Sequence, residues 1–505
     1  MMKSIITQSS IILLGFLLAV MLSGVLIYKA EFNMISYGDI AVLLPQNLSI
    51  FAVSFLISVV TAVFVWVILG IYTSPISVRG LLLYVCIHVC LQLAVIYFFR
   101  IKLTADWEVL YGISKELIQG NINTFMRGGY LYAEPHNIGL TLYFSLLNRI
   151  SPNTIYLPRM LNVLYSLITI IYLNKILLVL HPTYQKYKNR FFLISLCFLP
   201  TIFMANHIYN EVIATMFFLI SVYCLIKNID TMRVVNLLSI AILFSLGNFF
   251  RSLGFLFALT SVLFFITMRV SWKKIALFIL CVWIGFNLPI WTINMRLYST
   301  RLIPEPIGKN ALPVTRWINM GLSKQYFGYW DQGETYRIYA QNASWNKIRA
   351  NELYMQRIRE KIQQYTWKDI ASMYYKKLVW LWTEGTYQSV YLGMSHSTPG
   401  GYIEKTPISE FFDNNIQNRN WLTLPMYYGN IILLFLIFML MVRICITREW
   451  KLIQKELYFI LLFVVFIGFY LLWEVKPRYI YPFYPYLLLL AYLAVLKLFY
   501  QDHQK

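Results

Sequence analysis

The chain has 505 residues, 59% of them hydrophobic and only 13% charged, with 43 Lys+Arg against 22 Asp+Glu and a mean hydropathy of +0.60. A soluble protein carries about 25% charged residues, so a cytosolic enzyme, a disordered chain and a secreted disulfide scaffold are excluded. The net charge of +21 fits basic cytoplasmic loops beside anionic lipid headgroups better than it fits nucleic acid. The expected fold class is an all-α polytopic membrane protein.

Apolar runs at 11–28, 48–72, 80–98, 157–180, 191–206, 211–227, 234–250, 252–268, 275–295, 426–444, 457–473 and 481–498 approach the roughly 20 residues that cross a bilayer, which predicts about twelve transmembrane helices. No stretch shows the alternation of a membrane β-barrel. The first run lacks an A-x-A site and is followed by further spans, so it reads as a helix and not as a cleaved leader. In the third run Cys86, His88 and Cys90 fall within about one helical turn, a faint metal pattern. A hydrogen-bonded His among small residues is the commoner arrangement in such a helix. All six cysteines lie in or at the edge of apolar runs, which implies no disulfide framework. The apolar stretch 137–150 is too short to cross and reads as an interfacial or re-entrant helix.

Basic residues test this layout. With the N-terminus inside and 137–150 not crossing, the inner loops hold Arg79, then Lys186, Lys188 and Arg190, then Lys227 and Arg233, then Arg269, Lys273 and Lys274, and finally Arg443, Arg448, Lys451 and Lys455. Every short inner loop is then basic, as the positive-inside rule requires. The expected organisation is two additional N-terminal helices in 1–75, a transmembrane core in 76–296 whose first outer loop is 99–156, a large outer loop in 297–425, and C-terminal helices in 426–505, with both termini cytoplasmic. Within the large loop, Ile348, Leu353, Ile358 and Ile362 suggest an amphipathic helix over 346–365 lying on the outer surface. The same loop holds Trp330, Trp345, Trp367, Trp380 and Trp382. Such rings stack on sugars, but they are also enriched at membrane interfaces, the stronger explanation here. The loop's 15 Lys+Arg and 10 acids are compatible with an anionic acceptor such as a teichoic acid, but a mixed solvated surface is the stronger explanation.

Outside 297–425 only 12 of the 22 acids remain, and several occupy outer turns. Asp106 and Glu108 follow the third span, Glu134 opens the short helix, and Glu211 and Glu474 border later spans. A single carboxylate at a membrane boundary is commonly just solvated. Four acidic sites on one face, beside Arg159, Arg251, Lys476 and Arg478, mark a functional region. Carboxylates with guanidinium groups in a half-buried site suit transfer from a lipid phosphate: a base takes a proton from an acceptor hydroxyl, and cations stabilise the departing phosphate. Charge alone does not separate this from ion transport.

Asp106-Trp107-Glu108, Tyr132-Ala133-Glu134-Pro135-His136-Asn137, Asn210-Glu211, and Glu474-x-Lys476-Pro477-Arg478-Tyr479-x-x-Pro482 occur in that order. The arrangement resembles the GT-C superfamily of polytopic glycosyltransferases, which use polyprenyl-phosphate sugars and include the protein O-mannosyltransferases. It is most similar to the Gram-positive bacterial group, over roughly 76–300 and 457–490. The first motif looks like a modified D-x-D, the second like a "Y-x-x-x-P-x-N" or "H-P-P" segment, and the last like an "E-x-x-x-R-Y-x-x-P" turn. Loop 297–425 matches nothing in that pattern, and His136 departs from the Asn usual in the Gram-positive group.

The resemblance implies that Asp106 is the general base with Glu108 as partner, and that Glu211 is a second carboxylate that shapes the site or helps to hold a divalent cation (Mg or Mn, with Asp106 and Glu211 as ligands). It implies that Arg478, with Lys476, Arg251 and His136, binds the donor phosphate, His136 serving equally well as a helix cap. Tyr132, Glu134, Asn137, Asn210, Glu474 and Tyr479 would shape the substrate site. The implied activity is inverting transfer of a sugar from an undecaprenyl-phosphate-like donor to a cell-envelope polymer, lipid or protein on the outer face of the cytoplasmic membrane. A lipid-linked sugar flippase, a polysaccharide polymerase and a catalytically silent scaffold are the rivals. A flippase usually shows repeated halves and charges at mid-membrane. A polymerase would centre its polar residues in the large loop.

Overall fold

In hydrocarbon every backbone N–H and C=O must be paired within the chain, so long apolar runs become helices. The computed structural model describes residues 2–33, 40–73, 78–331, 333–394, 401–413 and 415–499. The remaining positions of the four expected units lie outside the described residues. Among the described residues there are 22 α-helices. Eight are long and apolar enough to cross a membrane: Ser4–Ile27, Leu48–Gly70, Val78–Phe98, Tyr156–Leu180, Glu211–Asn228, Trp272–Leu297, Gln417–Thr447 and Pro477–Phe499. The chain is therefore a multi-pass helical membrane protein. Val234–Phe250, Gly254–Thr267 and Leu457–Leu472 are apolar but shorter.

The run expected to span as 191–206 is instead two short helices, Lys188–Leu196 and Leu199–Met204. Pro200 is the cause. It has no N–H to continue the first helix and is tolerated only in the first turn of a new one; Phe198 between them is extended, at φ −70° and ψ 101°. The stretch read as non-crossing forms the helix Ile138–Ile150, 13 residues long, packed against Ala105–Ile118. The expected all-α class holds, with two short ribbons beside the helices. Two antiparallel ribbons occur, Tyr28–Asn33 with Ile40–Pro45 and Arg100–Ile101 with Tyr402–Glu404, and Arg100 pairs with Glu404 across the second.

The first helix is not an outlying addition. Ile11, Leu14, Leu18 and Met21 are fully buried, and the helix packs on Ile416–Thr447, Trp367–Thr383 and Leu457–Leu472. The second, by contrast, has none of its spanning window buried. The large loop is largely helical and joins the main core, with Trp380 and Trp382 buried and Trp382 packed on Phe463 and Phe483. Trp345 packs among Tyr336 and Tyr339, while Trp367 is exposed. The expected amphipathic helix is Lys347–Gln364, with the Asn346 side chain accepting the Arg349 N–H at 2.9 Å. Its buried stripe is Ala350, Tyr354 and Ile358 at four-residue spacing, facing the helix Thr315–Gly321. Ile348 and Ile362 are exposed, so only part of the expected apolar set faces inward. His88 meets the Leu196 carbonyl at 2.7 Å while Cys86 and Cys90 are exposed, so these three do not converge on a metal.

Two glycines make the packing testable. At Gly139 an added Cβ would overlap the Phe249 carbonyl of the neighbouring helix, whereas at the exposed Gly112 it would meet nothing within 4 Å. Gly139→Val is expected to destabilise by about 1–3 kcal/mol. Gly112→Ala is expected to stabilise by about 0.5–1 kcal/mol, as in any exposed helix interior. Unfolding midpoints in one detergent check the pair.

Candidate functional site

The expected site residues come from four turns that the helices carry to one end of the molecule. The helix Ala105–Ile118 opens at Ala105 with φ +50°, a left-handed conformation that is costly for a residue with a Cβ. Asp106 and Glu108 occupy its first turn, where carboxylates complement the helix dipole. Asp106 is half-buried and faces the phenols of Tyr130 and Tyr209. Burial, then the Asp106 carboxylate, pushes the Tyr130 hydroxyl well above its ordinary range. Glu108 lies two positions on and is exposed, away from these partners.

The next segment folds as the one-turn helix Tyr130–Ala133 followed by a 3-10 turn, Pro135–Asn137. Asn137 is buried and joins two motifs: its Nδ2 donates to the Tyr130 hydroxyl at 3.2 Å and its Oδ1 accepts from Tyr209 at 3.4 Å. Tyr132 points elsewhere. Its hydroxyl donates to Glu305, which also accepts from Asn310 at 2.9 Å. It fastens the start of the large loop. Residues two apart on a helical turn diverge by about 200°, so Tyr130 takes the inward place.

Glu211 begins the helix Glu211–Asn228 with no exposed surface. Its Oε1 accepts from Arg251 at 2.9 Å and lies 3.8 Å from Arg478 Nε. Its Oε2 is 3.2 Å from His207 Nε2. Asn210 accepts a second Arg251 hydrogen bond at 2.6 Å. Arg251 lies over the Tyr479 ring at 5.0 Å, and Arg478 over Tyr209 at 5.0 Å. Lys476 is buried beside the rings of Tyr329 and Trp330, at 5.4 and 5.5 Å. Glu474 is buried and accepts from Tyr479 at 3.4 Å; burial raises its carboxyl above the usual range, against the pull of Lys476, Arg316 and Arg478.

Three participants escaped the sequence reading. Arg316, on the large-loop helix Thr315–Gly321, pairs with Glu134 and lies 5.4 Å from the Trp317 ring centre. Burial works against its charge, but Glu134 overcomes this and raises its basicity. His136 stands 3.5 Å from Glu134 and meets Trp317 edge-on at 5.8 Å. His207 is fully buried, with the Trp107 ring 4.2 Å from its own. Tyr130 is the third. Spacing carried no signal for Arg316, whereas the ionisable His207 four residues before Glu211 was a readable pair.

Beside His136 and Trp317 lies a cavity of about 250 Å³, lined further down by Asn248, Phe286, Pro289 and Ile290. Pro289 sits inside the helix Trp272–Leu297 and releases the carbonyl of Gly285, which also lines the cavity. The lining is mostly apolar, with His136, Ser245, Asn248 and Ser252 as its polar members. As for metal binding, Glu211 already holds Arg251 and His207, and among the described residues no group of three or more His, Cys, Asp or Glu converges. No family model, curated protein or solved structure matches the chain.

Burial, despite the attraction of Glu211, holds the His207 imidazole down to about 4. The unfolded chain binds that proton near 6.5, so the stability contributed by neutral His207 is complete above pH 6.5 and is lost as pH falls from there toward 4. Melting curves in detergent should show this loss, and His207→Gln should flatten it. For the Arg316–Glu134 pair, a double-mutant cycle with Arg316→Met and Glu134→Gln should give a coupling of about 1–2 kcal/mol.

Proposed function

We propose that the protein is a membrane glycosyltransferase that moves a sugar from a polyprenyl-phosphate donor to a hydroxyl of a cell-envelope acceptor on the outer face. The observation that carries this reading is the convergence of carboxylates and guanidinium groups from separate chain segments, next to a mostly apolar cavity between helices. A lipid phosphate with a long hydrocarbon tail has the same two-part chemistry. The motif order, which resembles GT-C enzymes, agrees with it. The reading includes twelve membrane passages with both termini cytoplasmic, the three shorter apolar helices and the broken 188–204 segment making up the number.

The reaction is a displacement at the anomeric carbon. The acceptor oxygen forms the new C–O bond as Asp106 takes its proton, and the bond from the anomeric carbon to the phosphate oxygen breaks. Polyprenyl phosphate leaves with the bonding pair, and Arg251 and Arg478 stabilise the added negative charge. A single displacement inverts configuration. Lys476 and His136 stand beside the phosphate end, and the tail lies in the cavity between Val234–Phe250 and Trp272–Leu297. Glu211 holds the two guanidinium groups and does not itself take the proton.

The test is a transfer assay on purified protein in lipid, with a panel of radiolabelled polyprenyl-phosphate sugars. Turnover by the native chain, lowered at least about 100-fold by Asp106→Asn, is the expected result. Full activity in that variant would remove Asp106 from the base role. Movement of donor across the bilayer with its sugar–phosphate bond intact would identify a flippase.

A further inference from the structure

Lys377 is a buried cation of the large loop. It lies mid-way along the helix Trp367–Thr383 of the large loop and is 1% exposed. Its Nζ donates to two backbone carbonyls, Gly321 at 2.8 Å and Leu471 at 2.9 Å. Gly321 ends the helix Thr315–Gly321, and Leu471 lies in the last turn of Leu457–Leu472. Both carbonyls therefore belong to helix C-terminal ends, which lack intrahelical donors and carry the negative end of the helix dipole. One ammonium caps two of them.

The surroundings are built for this. At Gly328, with φ +82°, an added Cβ would sit 2.6 Å from Lys377 Cε and 2.7 Å from its Nζ. The Gly328 carbonyl accepts from the Val475 N–H at 2.9 Å. At Gly321 a Cβ would overlap the Leu472 carbonyl, so the two helix ends touch backbone to backbone. Close by, Trp317 and Trp473 stack at 5.6 Å with planes 9° apart. A methionine would fill the same space without a desolvation cost. Burial drags the Lys377 ammonium down to about 7, with Glu474 opposing, so holding a charge here costs free energy.

We propose that Lys377 is a positioning residue that fastens the helix carrying Arg316 and Trp317 to the turn carrying Glu474, Lys476 and Arg478. Arg316 reaches Glu134 from one arm, and Arg478 reaches Glu211 from the other. Their separation fixes the distance between the first outer loop and the phosphate-binding end. The large loop thereby becomes part of the frame of the site.

The test has two arms on the full-length protein in nanodiscs, and only the kinetic arm rests on the proposed transfer reaction. In Lys377→Met, amide hydrogen exchange over 318–330 and 470–478 should quicken at least about tenfold, while the rest of the large loop stays as in the native protein. With a polyprenyl-phosphate sugar as donor, kcat should fall about ten- to hundredfold, the scale of a misplaced catalytic group. KM for the donor should stay within about threefold. Lys377→Gln, whose shorter amide can reach one carbonyl at most, carries the same test if the Met variant does not fold. Unchanged exchange in the two segments overturns the proposal, as does acceleration spread evenly over the outer loop. A native protein without transferase activity refutes the enzymatic reading and leaves the exchange arm to decide on Lys377.

Discussion

A fully buried carboxylate, Glu211, is the constraint on which the end of the molecule depends. An ionised carboxylate taken out of water is stable only if oppositely charged donors come to it with good geometry. Arg251 comes from the end of one helix, Arg478 from the C-terminal turn, and His207 from the turn just before. These segments are far apart in sequence, and the charge at Glu211 requires them to be close in space. The Asn210 amide, bonded to the same Arg251, makes the arrangement directional. Glu134 repeats the device one layer out, drawing Arg316 from the large loop.

Such ties have more to do in lipid than in water. Helices surrounded by hydrocarbon gain little by hiding apolar side chains from one another, and packing and polar contacts set their arrangement. The spanning window of Leu48–Gly70 is entirely unburied and that of Trp272–Leu297 only 17% buried, so apolar surface alone leaves their neighbours undetermined. At the opposite end His181 and Lys497 both meet Glu456, and Arg443 donates to the Lys497 carbonyl at 2.6 Å. That second knot joins the ends, away from the site, of the helices Tyr156–Leu180, Leu457–Leu472 and Tyr484–Phe499. The bundle is thus pinned at both ends by ions and filled between them by close packing.

What the sequence revealed was set by how local the cause is. Apolar length is a local property, and the eight helices long enough to cross overlap the runs it marks out. The 13-residue helix Ile138–Ile150 was legible for the same reason. Pro200 breaks the run 191–206 into two helices, a consequence that the run's mostly apolar composition masks. The buried stripe of Lys347–Gln364 was half legible. Ala350 is small and Tyr354 polar-tipped, so neither scores as an apolar anchor, and both are fully buried. The motifs at 106, 134, 211 and 474–479 were found because ionisable groups are scarce in such a chain. Arg316 and Lys377 were not, because they sit among 15 basic residues of one loop, and only three-dimensional proximity sets them apart.

The carboxylates of the site divide into two kinds by their partners. Glu211 and Glu134 hold guanidinium groups, and their lone pairs are committed to keeping those cations in place. Asp106 faces the phenols of Tyr130 and Tyr209, and Asn137 links those two phenols to each other. Phenols are weaker donors than guanidiniums and hold a carboxylate without saturating it. A group that must accept a proton during a reaction needs such surroundings; a group that must keep cations in register needs the opposite. The difference between the bracing acids and Asp106 follows from which segments carry arginine. No arginine lies in the helix that bears Asp106, and the nearest aromatic neighbours come from the segments that Glu211 and Glu134 have already anchored. The buried ion pairs therefore do more than hold the helices: by taking up the cations, they leave Asp106 to its phenols.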